Sequence, residues 1–419
     1  MSIWEKHRFG DLVHFPPRVA LKKGDQYPYI DMDVVDPNTR HVGSVQTKKY
    51  ESSGCAKFVN NDVLLARITP CLENGKIAQV KIGEAESGFG STEFFVLRAK
   101  ESLLDQTFLF YLAKSDLIWK SAVNSMVGAS GRQRADATFL KKIKLRIPEL
   151  PLQKKIAAIL SGYDELIENN QRRITLLEKL AEELYREWFV RLRFPGHENA
   201  KKVKGVPARW EVRSLASFAT EVKKGIKKKD LADDEKYLGL EHLPRHSIAI
   251  REWATADTVD SNKLMFQERD ILFSKIRPYL HKIALAHFAG ACSADTIVIR
   301  PKEKIYEGYL LFTVFSDTFV ELATTASKGT KMPRADWGFL KRLELAVPDK
   351  ELLEIYQARF EVMFSQIENL LRVNELLSGL REKLLPRLIS GKLSVENLDI
   401  QFPPGMAEEW TAAATATHA

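Results

Sequence analysis

The chain has 419 residues, 45% of them hydrophobic, and 63 lysines and arginines outnumber 55 aspartates and glutamates to give a formal charge of +8. This composition excludes a disordered chain, and the lack of a signal-peptide core or of an apolar run of roughly 20 residues predicts a cytoplasmic protein without a membrane span. The 3 cysteines exclude a disulfide framework, the length predicts two or three domains, and the basic balance favours a polyanionic partner.

Residues 1–150 contain short runs rich in Val, Ile, Leu and Phe, broken by Gly, Pro and Asp, which predict β-strands joined by turns. One run, "DVLLARITPCLENGK", ends in a polar loop, and a later loop reads "GASGRQRAD". Arg, Lys and Gln side chains on loops are suited to contact DNA phosphates and base edges. The candidate DNA-binding residues of this half are Lys48, Lys49, Arg67, Lys76, Arg132, Gln133 and Arg134.

After Pro148 the sequence becomes strongly helical, because from Leu152 to about Arg191 it contains no proline and a single glycine. Apolar residues follow at alternating spacings of three and four, with a gap at Asn170: Leu160, Tyr163, Ile167, Ile174, Leu177, Ala181, Leu184 and Trp188. This repeat predicts one helix of a coiled coil.

The polar stretch 194–210 reads as a linker, and after it the first half of the chain is repeated. "RADATFLKKIKLRIP" at 134–148 matches "RADWGFLKRLELAVP" at 334–348, and "DVLLARITP" at 62–70 matches "DILFSKIRP" at 270–278. The period is too long for a solenoid, whose repeats run to roughly 20–50 residues, so a duplicated domain is predicted.

The second copy has a basic cluster, "KKGIKKK", and its stretches "SKIRPYLHK" and "SKGTKMPRAD" carry basic residues at places equivalent to those of the first copy. For any one residue the alternative is ordinary solvated surface charge, but recurrence at matching places favours a function for the set. The candidate DNA-binding residues of this half are Lys223, Lys224, Lys227, Lys275, Arg277, Lys282, Lys328, Lys331 and Arg334. Segments 42–54 and 247–263, where the two copies fail to align, are also expected to read bases.

A second helix is predicted from Leu352 to about Leu385, where Pro386 is expected to end or kink it. Its apolar seam is interrupted by two polar residues, Asn374 and Arg381, between the following apolar ones: Phe360, Met363, Ile367, Leu370, Leu377, Leu384 and Leu388. The spacing again indicates a coiled coil.

If the two helices pack antiparallel about their midpoints, Asn170 meets Asn374, and two amides that would be costly alone satisfy each other. A buried polar pair of this kind fixes the register of a coiled coil. The same register places Tyr163 opposite Arg381, within reach of a cation–π contact. The alternative is that each helix packs only on its own domain.

Sequence motifs for catalysis are lacking. Two Phe-Pro-Pro runs lack the polar residue that an amino-methylating motif places before its prolines, and no Walker A loop occurs. His242 and His246 are four residues apart, but Pro244 between them disfavours a helical metal pair. We therefore predict that the chain has no catalytic residue, no metal site and no cofactor of its own.

The segment "RIPELPLQKKIAAILSGYDELIENNQRRITLLEKLAEELYREWF" resembles the conserved region that follows each target-recognition domain in the specificity subunits of type I restriction–modification enzymes. The matching residues are Pro148, Pro151, Gln153, Ile156, Leu160, Asp164 and Ile167. The two-repeat order is equally typical, and the resemblance covers roughly residues 1–395. The second repeat departs from the pattern, since Glu354 stands near the place of the usual Gln.

The resemblance implies an α/β (α+β) fold with two similar target-recognition domains in tandem, separated by two long helices that form an antiparallel coiled coil with pseudo-two-fold symmetry. The expected segments are the first recognition domain (1–150), the first conserved helix (151–193), a linker (194–209), the second recognition domain (210–350), the second conserved helix (351–395) and a partly disordered C-terminal tail (396–419).

The resemblance also implies a non-catalytic subunit that recognises a bipartite, asymmetric site on double-stranded DNA. The implied partners are two modification subunits, which carry S-adenosylmethionine and methylate adenine, and two restriction subunits, which add ATP and magnesium. Three alternatives stay open: a specificity subunit of another methylase–nuclease assembly, an orphan system that only modifies DNA, and a coiled-coil scaffold that binds no DNA.

Overall fold

The computed structural model describes residues 4–51, 54–129, 131–203, 205–327 and 332–400. Within these ranges no helix is long and apolar enough to cross a membrane. The chain divides into a first unit, Met1–Glu168 with Glu375–Ala419, and a second unit, Asn169–Asn374. The division falls inside both long helices, because each part of a helix packs against the recognition domain of its own unit.

Two four-stranded sheets form the recognition domain of the first unit. One is antiparallel, in the order Val13–His14, Phe94–Ala99, Val63–Ala66 and Ile77–Gln79. The other has a parallel central pair and the order Gln46–Lys49, Gln26–Ile30, Ser87–Gly90 and Ala56–Val59. A further antiparallel pair joins Glu5–Arg8 to Lys144–Ile147. The short α-helices are Phe9–Leu12, Gln106–Lys114, Trp119–Asn124 and Ala137–Lys142.

The recognition domain of the second unit repeats this design. Its antiparallel sheet has the order Ala219–Val222, Thr296–Pro301, Ile271–Ser274 and Ile283–Leu285. Its mixed sheet has the order Gly225–Ile226, Lys263–Phe266, Gly290–Cys292, Lys236–Leu238 and Ala254–Thr255. Further antiparallel pairs join Glu211–Ser214 to Glu344–Val347 and Lys202–Val203 to Val206–Pro207. The short α-helices are Glu307–Phe315, Asp317–Thr325 and Trp337–Leu340.

The two recognition domains match in their ion pairs as well as in their strand order. In the first, Arg98 holds the buried carboxylate of Asp62 with Nε at 2.7 Å from Oδ1, and in the second Arg300 holds Asp270 at 2.6 Å. Both pairs join neighbouring strands of the antiparallel sheet and are bidentate, the geometry that orients a guanidinium most firmly. The predicted α/β (α+β) class, with two similar domains in tandem, is confirmed.

Two long helices accompany the sheets. The first long helix spans Leu150–Tyr185 and continues as a π-helical turn at Arg186–Val190, and the second spans Lys350–Ile389. The second contains Pro386, so of the two outcomes predicted at this proline, an end or a kink, the end is wrong and the kink stays a prediction. The last turn persists because Leu388 and Ile389 are buried in the core of the first unit, which offsets the hydrogen bond that the proline removes.

Contacts within the second unit establish that the helix segments there run antiparallel. The Asn170 amide donates to the Asn374 carbonyl at 2.9 Å, and further along the Trp188 ring lies 5.7 Å from the Tyr356 ring. Residue numbers therefore rise along one helix as they fall along the other. Between these contacts the predicted seam residues Ile174, Phe360, Ile367 and Leu370 share one core, with Leu177 and Leu184 packed against it.

The corresponding segments of the first unit meet through an ion pair. The Arg381 guanidinium binds the carboxylate of Asp164, which is buried and also accepts a hydrogen bond from the Tyr111 hydroxyl at 2.5 Å. The predicted cation–π partner Tyr163 is thus replaced by the next residue along the helix. A buried guanidinium gains more from a carboxylate than from a ring face, which explains the one-residue difference.

We expect Asn170→Leu to lower the free energy of unfolding by about 1–3 kcal/mol, because it removes the donor that faces the Asn374 carbonyl inside the seam. Chemical denaturation of the full chain measures the loss. The double variant Asn170→Leu/Asn374→Leu is the matched control and should recover most of it, since an apolar pair leaves no amide unsatisfied. Equal losses in both variants would contradict a role for the amide pair in the register.

Candidate nucleic-acid interface

In the first unit the fold brings together three of the predicted DNA-binding residues. Ile68 forms an isolated β-bridge with Arg134, and the Thr69 amide donates to the Gln133 carbonyl at 3.0 Å. The backbone of Arg67 is fixed on both sides, since its amide donates to Glu93 and its carbonyl accepts from Ala135. Arg67, Gln133 and Arg134 therefore lie on adjoining loops at the end of one sheet. Arg132, on the same loop, is exposed.

Arg134 is oriented by a carboxylate that was not singled out in the sequence. Its guanidinium lies 2.6 Å from Glu93 Oε1 and donates again to Oε2 at 3.0 Å. These hydrogen bonds hold the pKa of the Glu93 carboxyl below its ordinary value. Glu93 belongs to "STEFFVLR", whose match "SADTIVIR" has Asp295 at the same place, so the alignment of the two copies contained the signal.

The second unit builds the equivalent loops with the same contacts. Ile276 forms a β-bridge with Arg334, the Arg277 amide donates to the Pro333 carbonyl at 2.8 Å, and the Lys275 amide donates to the Asp295 carbonyl at 2.8 Å. Arg334 lies 3.4 Å from the Asp295 carboxylate, and the equivalent Arg134 lies 2.6 Å from that of Glu93 in the first unit. Lys275, Arg277 and Arg334 are thus brought together. Two further predicted residues, Lys328 and Lys331, lie outside the described residues.

Lys76 and Lys282 occupy equivalent places and share an internal role. The Lys76 ammonium donates to the Met32 carbonyl at 2.7 Å, and that of Lys282 donates to the Leu240 carbonyl. Both side chains are half-buried, and burial lowers the pKa of Lys282. In each domain one lysine therefore links the loop after the strand to a neighbouring loop through a hydrogen bond to a backbone carbonyl. No pattern in the sequence distinguishes such a lysine from one that binds DNA, because its acceptor is a backbone carbonyl.

The remaining predicted residues lie on exposed elements apart from these loops. Lys48 and Lys49 are on an edge strand, with the Lys48 ammonium 3.8 Å from the centre of the Tyr29 ring. In the second unit Lys223, Lys224 and Lys227 are exposed around the short strand Gly225–Ile226, and Lys223 lies 2.9 Å from Glu221. These lysines provide positive surface rather than a shaped pocket.

Part of segment 247–263, expected to read bases, is instead anchored to the first long helix. The Glu178 carboxylate accepts from the Ser247 hydroxyl at 2.6 Å and from the amides of Ile248 and Ala249 at 2.7 and 2.9 Å. Ile248 and Ala249 are fully buried. This end of the segment serves as an attachment between a recognition domain and the helix of its own unit.

The N-terminal part of the chain matches a family model. Residues 1–179 match the model described as "Type I restriction modification DNA specificity domain". The match includes the first recognition domain and most of the first long helix.

Curated relatives match over longer stretches. The specificity subunit of the type I restriction enzyme MjaVIII from Methanocaldococcus jannaschii is 22% identical over 94% of this chain and 94% of its own. That of MjaIX from the same organism is 25% identical over 70% of each chain. That of EcoDI from Escherichia coli is 33% identical over 34% of each chain.

A solved structure has the same fold. The S subunit of a type I restriction–modification system from M. genitalium superposes with a TM-score of 0.52 at 15% identity, covering 92% of this chain and 96% of that one. At this identity the likeness establishes the fold, two recognition domains with two long helices, and no individual contact.

Proposed function

We propose that this chain is a specificity subunit of a type I restriction–modification system, which binds a bipartite, asymmetric site on double-stranded DNA and positions modification subunits on it. The similarity of residues 1–179 to the family model and of longer stretches to curated specificity subunits supports the proposal. Each recognition domain would read one half-site. The observation that carries the proposal is the pair of equivalent loop groups, Arg67, Gln133 and Arg134 in one domain and Lys275, Arg277 and Arg334 in the other.

The chemistry of these loops suits DNA. Arg134 and Arg334 are each held by one carboxylate, which fixes the direction of a guanidinium without burying it. A preorganised, exposed arginine can bond a guanine edge or a phosphate with little further loss of side-chain entropy. Arg132 and Gln133 extend the same loop with donors that suit guanine and adenine, respectively.

The chain would act without catalysis of its own. In our proposal two modification subunits supply S-adenosylmethionine and methylate adenine, and two restriction subunits supply ATP- and magnesium-dependent cleavage, all in the cytoplasm. The two long helices would dock the modification subunits. The similarity to specificity subunits supports a DNA-recognition component, and the stoichiometry is part of the proposal.

Methylome sequencing tests this function. Cells that express the chain with its cognate modification subunit should acquire a bipartite motif carrying N6-methyladenine, and cells that express the modification subunit alone should not. Replacing residues 1–150 by the equivalent domain of another specificity subunit should change one half of the motif and leave the other. A stable complex that methylates no new motif would contradict the proposal.

Removing exposed lysines of the second domain should weaken DNA binding at every sequence. We expect the triple variant Lys223→Ala/Lys224→Ala/Lys227→Ala to have a shallower slope of log affinity against log salt concentration. The slope should fall by about 0.9 for each phosphate that is no longer neutralised, which is roughly 2–3 if all three lysines bind phosphates. Fluorescence anisotropy with a site-bearing duplex over a salt series measures the slope. Lys120→Ala/Lys304→Ala/Lys350→Ala, an equal charge change at exposed lysines elsewhere, should leave the slope unchanged.

A further inference from the structure

A cleft of about 770 Å³ opens in the first recognition domain beside the loop group that contains Arg67. Its floor is aromatic. Phe15, Phe94 and Phe95 line it, and the rings of Phe15 and Phe95 meet edge to face with centroids 5.0 Å apart. The volume lies in the range of roughly 300–1,000 Å³ that is typical of small-molecule sites.

The lining of this cleft, which we call the Phe15 cleft, carries one sign of charge. Arg18, Lys57, Arg67 and Lys141 line it, and none of the other described lining residues is an aspartate or a glutamate. In the described part of the chain none of these four cations forms an ion pair, whereas Arg134, nearby on the same loops, has its own carboxylate. Four cations that form no ion pair among the described residues, set around an apolar floor, favour an anionic ligand with a flat apolar body.

Arg67 links the charge to the aromatic floor. Its guanidinium carbon lies 4.8 Å from the centre of the Phe95 ring, so the guanidinium plane can take part in stacking. Its Nε is shielded from solvent and has no hydrogen-bond partner. The Lys141 ammonium lies 5.2 Å from the centre of the Phe15 ring. An unused buried donor beside a ring is a feature of a site that a ligand completes.

We propose that the Phe15 cleft binds one nucleotide unit, with its base beside Arg67 and Phe95 and its phosphate between Lys141 and Arg18. Bases stack on aromatic rings and on guanidinium planes, and phosphates are bound by Lys and Arg. The nucleotide comes either from the bound DNA or from the free nucleotide pool. The first source rests on the proposed function, and the second does not.

The second domain does not repeat the aromatic floor. By the pairing of their strands, the places of Phe15 and Phe95 are taken there by Glu221 and Ile297. The Glu221 carboxylate also forms an ion pair with the Lys223 ammonium, with Nζ 2.9 Å from Oε2. The Phe15 cleft therefore distinguishes the first recognition domain from the second, and only the first is expected to bind a nucleotide in this way.

Cys55 lines the cleft and supplies a reporter. In a Cys71→Ser background the one other thiol is Cys292, which is buried and whose pKa is raised by burial to about 12, so an alkylating reagent reports on Cys55. The full chain is alkylated alone, with dAMP, with deoxyadenosine, or with a duplex that carries the site found by methylome sequencing. The same series is run for Arg67→Met and Lys141→Met, with Lys142→Met, an exposed neighbour outside the cleft, as the control.

A free nucleotide as the ligand is supported if dAMP protects Cys55 and deoxyadenosine does not. The dAMP concentration needed for protection should then rise about tenfold in Arg67→Met or Lys141→Met. A tenfold rise corresponds to the loss of about 1.4 kcal/mol expected for one charge-assisted contact. Protection by the duplex alone, abolished in variants that still bind the duplex, supports a nucleotide of the bound strand. Two results would overturn nucleotide binding in the Phe15 cleft and leave the proposed function intact. In the first, the duplex binds but neither it nor dAMP protects Cys55. In the second, protection is equal in all variants. Protection by dAMP in a chain that binds no duplex would contradict the proposed function and support nucleotide binding in the Phe15 cleft.

Discussion

Replacing Arg269 by methionine is expected to lower the free energy of unfolding by about 3–5 kcal/mol, the usual effect of leaving buried charges without their partner. Arg269 binds three carboxylates in the second unit, those of Glu307, Glu361 and Glu368, each at 2.9 Å. Glu307 and Glu368 are largely buried. Without the guanidinium, three like charges would face one another in a poorly solvated place, so chemical denaturation at pH 7 should report a large loss.

The loss should depend on pH with a definite sign. Burial already raises the pKa of Glu307 and Glu368 above the ordinary value of 4.5, and removing Arg269 raises both further. A carboxyl whose pKa is higher in the folded state contributes stability below its unfolded pKa and loses it as pH rises through the folded value. The difference between wild type and Arg269→Met should therefore be smaller at pH 4.5 than at pH 7.

The matched control is Arg372→Met. Arg372 lies 3.7 Å from Glu268, and both side chains are about half exposed. Exposed pairs contribute roughly 0–1 kcal/mol, so this variant should be close to wild type. Similar losses at positions 269 and 372, or a loss that grows towards acidic pH, would show that the three-carboxylate cluster does not carry the stability ascribed to it.

This cluster marks a limit of inference from the sequence. Arg269 stands where the first copy has Asn61, and both residues adopt a left-handed φ of 71° in the turn before a strand. Both copies have the same turn, and Asn is one of the residues that adopt a left-handed φ most readily. The arginine side chain occurs in the second copy alone. Its partners come from two helices far along the chain, and only the packed fold brings them together. The alignment of the copies therefore locates the backbone and gives no sign of the ion cluster.

The seam asparagines illustrate the opposite case. An amide in an apolar heptad position is costly alone, and antiparallel packing of the two helices about their midpoints predicts that Asn170 meets Asn374. The structure places the amide nitrogen of Asn170 2.9 Å from the carbonyl oxygen of Asn374. Arg381 occupies a similar seam position, yet its partner is one residue from the expected Tyr163. Periodicity locates a residue on a helix to within one position, and the chemistry of the neighbouring side chains decides the contact.

The loops show which part of the interface could be predicted. Basic residues before the same Ala-Asp pair in both copies single out Arg132, Gln133 and Arg134 as one loop, and the structure places Arg67, predicted separately, on the adjoining loop. The internal role of Lys76 was not predictable, because nothing in a sequence marks the Met32 carbonyl as its acceptor. The aromatic floor of the Phe15 cleft was also missed. Phe15 and Phe95 are 80 positions apart and read separately as ordinary core residues.

Replacing Arg381 by methionine should destabilise the first unit by about 3–5 kcal/mol, since it removes the ion-pair partner of the buried Asp164 carboxylate. Asp164 is almost fully buried, and it also accepts a hydrogen bond from the Tyr111 hydroxyl at 2.5 Å. Burial, and then the charge of Asp164, raise the pKa of Tyr111, so this tyrosine remains neutral and cannot replace the cation. Chemical denaturation of the full chain measures the loss.

A double-mutant cycle separates the charge from the packing. Asp164→Asn keeps an acceptor for Tyr111 and removes the charge, so Asp164→Asn/Arg381→Met should be more stable than Arg381→Met alone, with a coupling of about 2 kcal/mol or more. If the double variant is instead no more stable than the single one, Arg381 acts through its stem and its van der Waals contacts. The two side chains would then stabilise the first unit only by packing between its two helix segments. The match of Asp164 to the family pattern would need a cause other than this ion pair.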